Sequence, residues 1–153
     1  MKKRPVIAVI GGRKEARALI KEAEEAGRLI AESGAVLVSG GLGGVMESAS
    51  KGARSAGGLT VGILPQDNTL GANRYIDVAV ATGLGIGRNV LIARTADALI
   101  AIGGEYGTLS EIAFGLQLGK PVIGIMSWDI LGVVPAVDAE DAVAKAFAAI
   151  QPK

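Results

Sequence analysis

The sequence alternates short runs of branched apolar residues with longer stretches rich in Ala, Glu, Lys and Leu. The short runs are continuously apolar, which is the pattern of strands that are buried on both faces of a sheet. Strands of this kind, separated by helices, are typical of an open parallel sheet that is covered by helices on both sides. The order of elements therefore predicts a three-layer α/β/α fold with about six parallel strands.

The predicted elements follow one another without a linker, so the whole chain, 1–153, is expected to form one domain. Strands are predicted over residues 5–10, 35–39, 59–64, 76–80, 98–102 and 121–126. Helices are predicted over residues 14–33, 43–56, 87–95, 108–118 and 139–150. The polar, turn-rich stretch 66–75 is predicted to be a loop.

The composition excludes several classes of function. Without histidine and cysteine, the chain has no Ser-His-Asp triad, no thiolate nucleophile, no disulfide and no His-based zinc site. The net charge is +1 and aromatic residues make up 3%, which argues against a nucleic-acid-binding face. The apolar runs are strand-sized and the basic amino terminus lacks a long apolar region, so neither a membrane span nor a secretory signal is expected. We expect a cytoplasmic protein that holds no metal.

Two glycine-rich turns each join a predicted buried strand to a helix, over residues 39–47 and 103–111. In open parallel sheets, ligands bind at the carboxyl ends of the strands. Glycine lets the backbone approach a ligand closely, and the amino terminus of the next helix suits a phosphate. The turns predict a phosphate site formed by Gly40, Gly41, Gly43, Gly44, Gly104, Gly107 and Thr108. Alternatively, the glycines serve only tight turns and close packing of helix on strand.

Two common nucleotide-binding motifs are missing. The first strand is followed by Gly11-Gly12-Arg13 instead of G-x-G-x-x-G, and the second strand ends without an acidic residue for a ribose. No G-K-[ST] tripeptide occurs, so the chain has no Walker A motif. A NAD site of the usual type therefore fits poorly, and a P-loop kinase or ATPase is excluded.

Residues 88–111, taken with the turn at 40–47, resemble the LOG-like Rossmann proteins, a family misnamed "lysine decarboxylase-like". That family includes nucleoside-monophosphate phosphoribohydrolases that activate cytokinins, and the molybdenum cofactor carrier proteins are close relatives. The hydrolases share the motif P-G-G-x-G-T-x-x-E, which follows an Arg-Lys pair. The matching positions here are Gly104, Gly107, Thr108 and Glu111, with Ala93–Ala98 before them. The resemblance implies a Rossmann-like fold and a homodimer or homotetramer.

The resemblance places the catalytic arginine of the hydrolases at Arg88 and their catalytic glutamate at Glu111. Glu111 would position water or the leaving base during N-glycosidic cleavage, and Arg88 would stabilise charge on the phosphate side. Glu111 has a structural alternative as well, because Thr108-Leu109-Ser110-Glu111 reads as a capping box.

Two further charged residues are candidates for ligand contacts. Arg94 is expected to pair either with the phosphate or with Asp97. Glu47 follows Gly43 as Glu111 follows Gly107, so it is expected to face the ribose hydroxyls of a ligand, or else to cap its helix or face solvent.

Three positions depart from the motif of the hydrolases: Gly103 stands for Pro, Glu105 for the second Gly, and Asn89 for Lys. Glu105 introduces a carboxylate into a loop that is meant for an anion. At about 5 Å and an effective dielectric near 20, one unit of like charge costs roughly 3 kcal/mol. These departures favour a binding protein, whereas the retained Arg88 and Glu111 favour a hydrolase.

Two functions are therefore predicted for a site that takes a phosphorylated, nucleotide-like small molecule. The first is hydrolysis of the N-glycosidic bond of nucleoside 5′-monophosphates, with no cofactor. The alternative is a carrier that holds the molybdenum cofactor, a phosphorylated pterin, without turnover. Lysine decarboxylation is rejected, because neither glycine turn contains a lysine that could bind pyridoxal phosphate.

Overall fold

The computed structural model describes residues 3–150, which form one parallel sheet with helices on both faces. Seven strands run in the order β4-β3-β2-β1-β5-β6-β7. Their bounds are β1 Val6–Gly11, β2 Val36–Ser39, β3 Thr60–Leu64, β4 Val78–Ala81, β5 Ala98–Ile102, β6 Val122–Ile125 and β7 Val133–Pro135. The predicted Rossmann-like α/β/α fold is confirmed.

Five helices cover the sheet, and a 3-10 turn at Gly85–Arg88 precedes the third of them. The helices are α1 Arg17–Glu32, α2 Val45–Ser55, α3 Asn89–Thr95, α4 Tyr106–Gln117 and α5 Ala139–Ile150. Helices α1, α2 and α5 pack on one face, and α3 and α4 pack on the other. No helix within residues 3–150 is long and apolar enough to cross a bilayer.

Strand β1 is continuously apolar because it lies at the centre of the sheet and is buried on both faces. Ile7 and Val9 pack into the core beneath α1, α2 and α5, while Ala8 and Ile10 pack beneath α3 and α4. Strand β5, beside β1, is buried along its whole length in the same way. Because the chain leaves β1 toward β2 on one side and reaches β5 on the other, the strand order reverses between β1 and β5. Ligands of such sheets bind at the carboxyl ends of the strands at this point.

Some boundaries differ from the prediction. Strand β7 was not predicted; it has three residues at the edge of the sheet, two of them exposed, so it leaves no buried pattern in the sequence. Helix α4 begins at Tyr106, two residues before the predicted start. Helix α1 begins at Arg17, because residues 12–16 form the turn after β1.

Helices α1 and α2 cross with their backbones in close contact. A Cβ atom added at Gly27 of α1 would overlap the carbonyl oxygen of Ala49 in α2. In the same way, a Cβ atom at Gly52 of α2 would overlap the carbonyl oxygen of Glu24 in α1. The two glycines thus set the distance between the helices, which positions the amino terminus of α2 at the carboxyl edge of the sheet.

We expect Gly27→Ala to destabilise the fold although alanine is the better helix former. The gain in helix propensity is about 1 kcal/mol. Overlap with a backbone carbonyl forces the two helices apart, and the expected net loss in the free energy of unfolding is about 2 kcal/mol. Urea denaturation measures this change, with Lys21→Ala on the exposed face of α1 as the control. Equal stability of the two variants would contradict the close crossing.

Candidate functional site

A cavity of about 420 Å³ opens at the carboxyl edge of the sheet, where the strand order reverses. It lies between the turn after β1, the amino end of α2, the 3-10 turn and the amino end of α4. Its polar side chains are Arg13, Lys14, Arg88, Asn89, Glu105, Thr108 and Glu111. Its apolar side chains are Ile10, Leu42, Met46, Pro65 and Ile86.

Arg88, at the end of the 3-10 turn, is only 8% exposed. Its Nε donates a hydrogen bond to the Ile63 carbonyl at 2.9 Å, and one terminal nitrogen donates to the Gly40 carbonyl at 3.4 Å. A Cβ atom at Gly40 would lie 2.5 Å from that nitrogen, so the absence of a side chain at Gly40 leaves room for the guanidinium. Burial lowers the pKa of Arg88; the nearby Glu111 carboxylate opposes this shift and the charge of Arg13 adds to it.

Asn89 is a cavity residue that the sequence reasoning treated only as a departure from the motif. Its side chain is buried and links the 3-10 turn to α4: Oδ1 accepts a hydrogen bond from Arg88, and Nδ2 donates to Ser110 Oγ at 3.1 Å. Ser110 Oγ in turn donates to the Gly107 carbonyl at 2.6 Å. This chain of bonds fixes the first turn of α4 relative to Arg88.

Glu111 lies in α4 and borders the cavity with Arg88. It is 7% exposed, and burial raises the pKa of its carboxyl from the ordinary 4.5 to about 8, although the positive charge of Arg88 opposes the shift. No side chain or backbone group within residues 3–150 donates a hydrogen bond to this carboxyl. Burial therefore favours the protonated form of Glu111 at the cavity.

The capping-box interpretation of Thr108 and Glu111 is wrong. Helix α4 begins at Tyr106 with Glu105 as its N-cap residue, so Thr108 lies inside the first turn and cannot cap it. Within the described part of the chain, no side chain caps this helix, and its first N–H groups therefore lack a side-chain acceptor. Glu105 is exposed at the rim of the cavity, which limits its repulsion of an anion further in.

The first glycine turn contributes less to the cavity wall than the sequence suggested. Gly40 and Gly41 are buried against protein groups, and Leu42 and Met46 line the cavity in their place. Gly44 has a φ of +67° and packs against the backbone of residues 12–13, whereas a Cβ atom at Gly43 would meet open space. In the second turn Gly107 and Thr108 line the cavity, but Gly104 does not.

Arg94 and Glu47 lie outside the cavity lining. Arg94 is in the last turn of α3, which carries it toward the amino edge of the sheet, where Lys120 Nζ donates to its carbonyl at 3.4 Å. The alternative pairing with Asp97 is not formed; instead, Asp97 Oδ2 accepts a hydrogen bond from the Val6 N–H at 2.8 Å. Glu47 is half-buried in the first turn of α2.

The sequence reasoning missed the two most accessible cations of the cavity, Arg13 and Lys14. Both belong to the turn after β1, which lacks the dinucleotide motif. The sequence does indicate that these cations lie near the site, because the carboxyl end of β1 lies at the same edge of the sheet as the two glycine turns.

The turn after β6 holds the second glycine turn in place. Ser127 Oγ donates to the Gly103 carbonyl at 2.7 Å, and Trp128 Nε1 donates to the Glu105 carbonyl at 3.1 Å. The rings of Tyr106 and Trp128 stack with centroids 6.3 Å apart. Because the carbonyls of Gly103 and Glu105 are occupied by these donors, the conformation of the turn is set before any ligand arrives.

The arrangement suits a phosphorylated heterocycle better than a metal ion. Cations and free helix N–H groups favour a phosphate, and the apolar side chains suit a planar ring. Among residues 3–150 there is no group of three or more acidic, His or Cys side chains that could hold a metal.

Comparison with known proteins identifies relatives along nearly the whole chain. A protein of Archaeoglobus fulgidus is 50% identical over 119 residues, 78% of each chain. The molybdenum cofactor binding protein from Rippkaea orientalis is 38% identical, with a TM-score of 0.93 over 99% of this chain and 100% of that one. The molybdenum cofactor carrier protein of Chlamydomonas reinhardtii is 34% identical, with a TM-score of 0.89 over 97% of this chain and 99% of that one.

The family resemblance inferred from the glycine turns is confirmed by these relatives and by a family model. The model of the SLOG cluster4 family matches residues 4–150, which include every strand, every helix and all cavity residues. The chain belongs to the SLOG cluster4 family.

Proposed function

We propose that this protein binds a phosphorylated pterin of the molybdenum cofactor class and carries it without cleaving it. The observation that carries the proposal is the cavity itself, in which three cations and an apolar wall meet at the carboxyl edge of the sheet. Two solved proteins with this fold, 38% and 34% identical to the chain, are described as binding or carrying the molybdenum cofactor. We expect the carrier to act in the cytoplasm, as the homodimer or homotetramer that the family resemblance implies.

The cavity offers a place for each part of such a ligand. The phosphate would lie near Arg13 and Lys14, within reach of the N–H groups of the first turn of α4. The pterin ring would pack against Leu42, Met46 and Ile86. A volume of about 420 Å³ lies within the range of small-molecule sites, roughly 300–1,000 Å³.

Hydrolysis of nucleoside 5′-monophosphates is the second candidate, and the state of Glu111 favours it. A buried carboxyl with a pKa of about 8 is able to protonate a leaving base near neutral pH. Arg88, on the same cavity, would stabilise negative charge on the ligand. The same two side chains also serve a carrier, because a neutral Glu111 can donate a hydrogen bond to a pterin.

Replacing the accessible cations should weaken retention of the cofactor. We expect Arg13→Ala and Lys14→Ala each to lower the affinity about tenfold, since each removes a charged partner of the phosphate. Equilibrium dialysis against molybdenum cofactor released from a molybdoenzyme measures retention as protein-bound molybdenum. Lys51→Ala, on the exposed surface of α2, is the matched control. A parent protein that retains no molybdenum would contradict the carrier proposal.

Release of free base separates the carrier from the hydrolase. The parent protein is incubated with a panel of nucleoside 5′-monophosphates, and free base is measured by chromatography beside Glu111→Gln. A carrier releases no base from any nucleotide of the panel. Base release that collapses in Glu111→Gln would instead establish the hydrolase and place Glu111 at the reacting bond.

Glu111 should make the stability of the protein depend on pH. The folded protein binds the proton of the Glu111 carboxyl more tightly than the unfolded chain does. The resulting contribution to the free energy of unfolding is complete below the ordinary pKa of 4.5 and is lost as pH rises through about 8. Glutamine imitates the protonated acid. We therefore expect Glu111→Gln to match the parent near pH 5 and to be more stable by about 2 to 5 kcal/mol near pH 9. Urea denaturation at both pH values measures the difference, and a constant difference would contradict the raised pKa.

A further inference from the structure

A carboxylate from the protein itself occupies the turn after β5. Glu15, in the turn after β1, reaches across the carboxyl edge of the sheet, and its Oε1 accepts a hydrogen bond from the Gly104 N–H at 2.6 Å. This is one of the N–H groups that the glycine motif predicts for a phosphate. In this structure the N–H is already satisfied by an anion.

Two glycines, Gly12 and Gly103, leave room for that carboxylate, and Gly104 supplies the N–H that it accepts. A Cβ atom at Gly103 would lie 2.6 Å from Glu15 Oε2, and one at Gly12 would overlap Oε1. Gly103 and Gly104 also have φ values of +54° and +99°, which residues with side chains rarely adopt. We call Gly12, Gly103 and Gly104 the glycine cradle.

We propose that Glu15 determines where the phosphate of the ligand binds, by keeping the glycine cradle closed to it. The phosphate is then directed to Arg13, Lys14 and the N–H groups of Gly107 and Thr108. This inference rests on the proposed function, namely that the cavity takes a phosphorylated ligand.

One observation and one electrostatic argument support the exclusion. The cavity opens on Gly107 and Thr108; of the glycine cradle, Gly12 lines it, whereas Gly103 and Gly104 do not. A second anion in the cradle would compete for the Gly104 N–H and would lie against the Glu15 carboxylate, so the two charges would repel each other.

The loop that carries Glu15 is anchored on both sides. The Gly12 carbonyl accepts a hydrogen bond from the Val45 N–H at 3.0 Å, at the start of α2. At its other end Glu15 is bonded to Gly104. Arg13 and Lys14 lie between these two anchors, so the contact that closes the cradle also holds the two cations at the cavity.

Titration with inorganic phosphate, followed by ¹H–¹⁵N NMR, tests the inference on the full chain. In the parent we expect the amide signals of Gly107 and Thr108 to shift with phosphate, while that of Gly104 does not. In Glu15→Ala the cradle is empty, and the Gly104 signal should shift with phosphate as well. Glu15→Gln is the matched control. Its side-chain amide oxygen still fills the cradle, so the Gly104 amide signal should not shift with phosphate.

Three results would overturn the inference: a phosphate-dependent shift of the Gly104 amide signal in the parent, the same shift in Glu15→Gln, or no shift of that signal in Glu15→Ala. If Glu15→Ala does not fold, Glu15→Asp, which withdraws the carboxylate by one methylene, is read in the same way. If no parent amide responds, the proposed binding of phosphorylated ligands is contradicted. The response of Gly104 in Glu15→Ala then still decides whether Glu15 closes the cradle.

Discussion

The guanidinium of Arg88 is buried against the end of strand β3 and the turn after β2. A buried charge without partners costs several kcal/mol, so the surrounding backbone has to supply acceptors. The carbonyls of Ile63 and Gly40 and the side chain of Asn89 do so. The cavity is thus built around a cation whose position is fixed by main-chain atoms.

The fold could be predicted from the sequence because strands that are buried on both faces are apolar at every position. β1 and β5 are continuously apolar, and this pattern, together with the alternation of strands and helices, indicated parallel strands between two layers of helices. The same reasoning failed for β7, which is short, lies at the edge and has little buried surface. It also failed at the start of α4, where residues 103–107 were predicted to be a turn although the helix already begins at Tyr106.

The site was predictable only in part. Arg88, Thr108 and Glu111 share the cavity because a local motif places them at the carboxyl edge. Arg94 lies outside the cavity because α3 runs away from the carboxyl edge at about 1.5 Å per residue, which carries a residue in its last turn away from the cavity. Glu15 and Gly104 are 89 positions apart in the sequence, and no local pattern predicts their contact. The φ of +54° at Gly103 excludes the proline of the hydrolase motif, and a Cβ atom there would lie 2.6 Å from Glu15 Oε2.

The hydrogen bond from Trp128 to the Glu105 carbonyl has a practical consequence. Trp128 is the only tryptophan of the chain, and it is stacked on Tyr106 at the start of α4. Its indole donates a hydrogen bond to the carbonyl of Glu105, immediately before the first turn of α4 at the cavity. Any rearrangement of this turn changes the surroundings of the indole, so the protein has a built-in optical reporter beside its cavity, and its emission can be followed without attaching a dye.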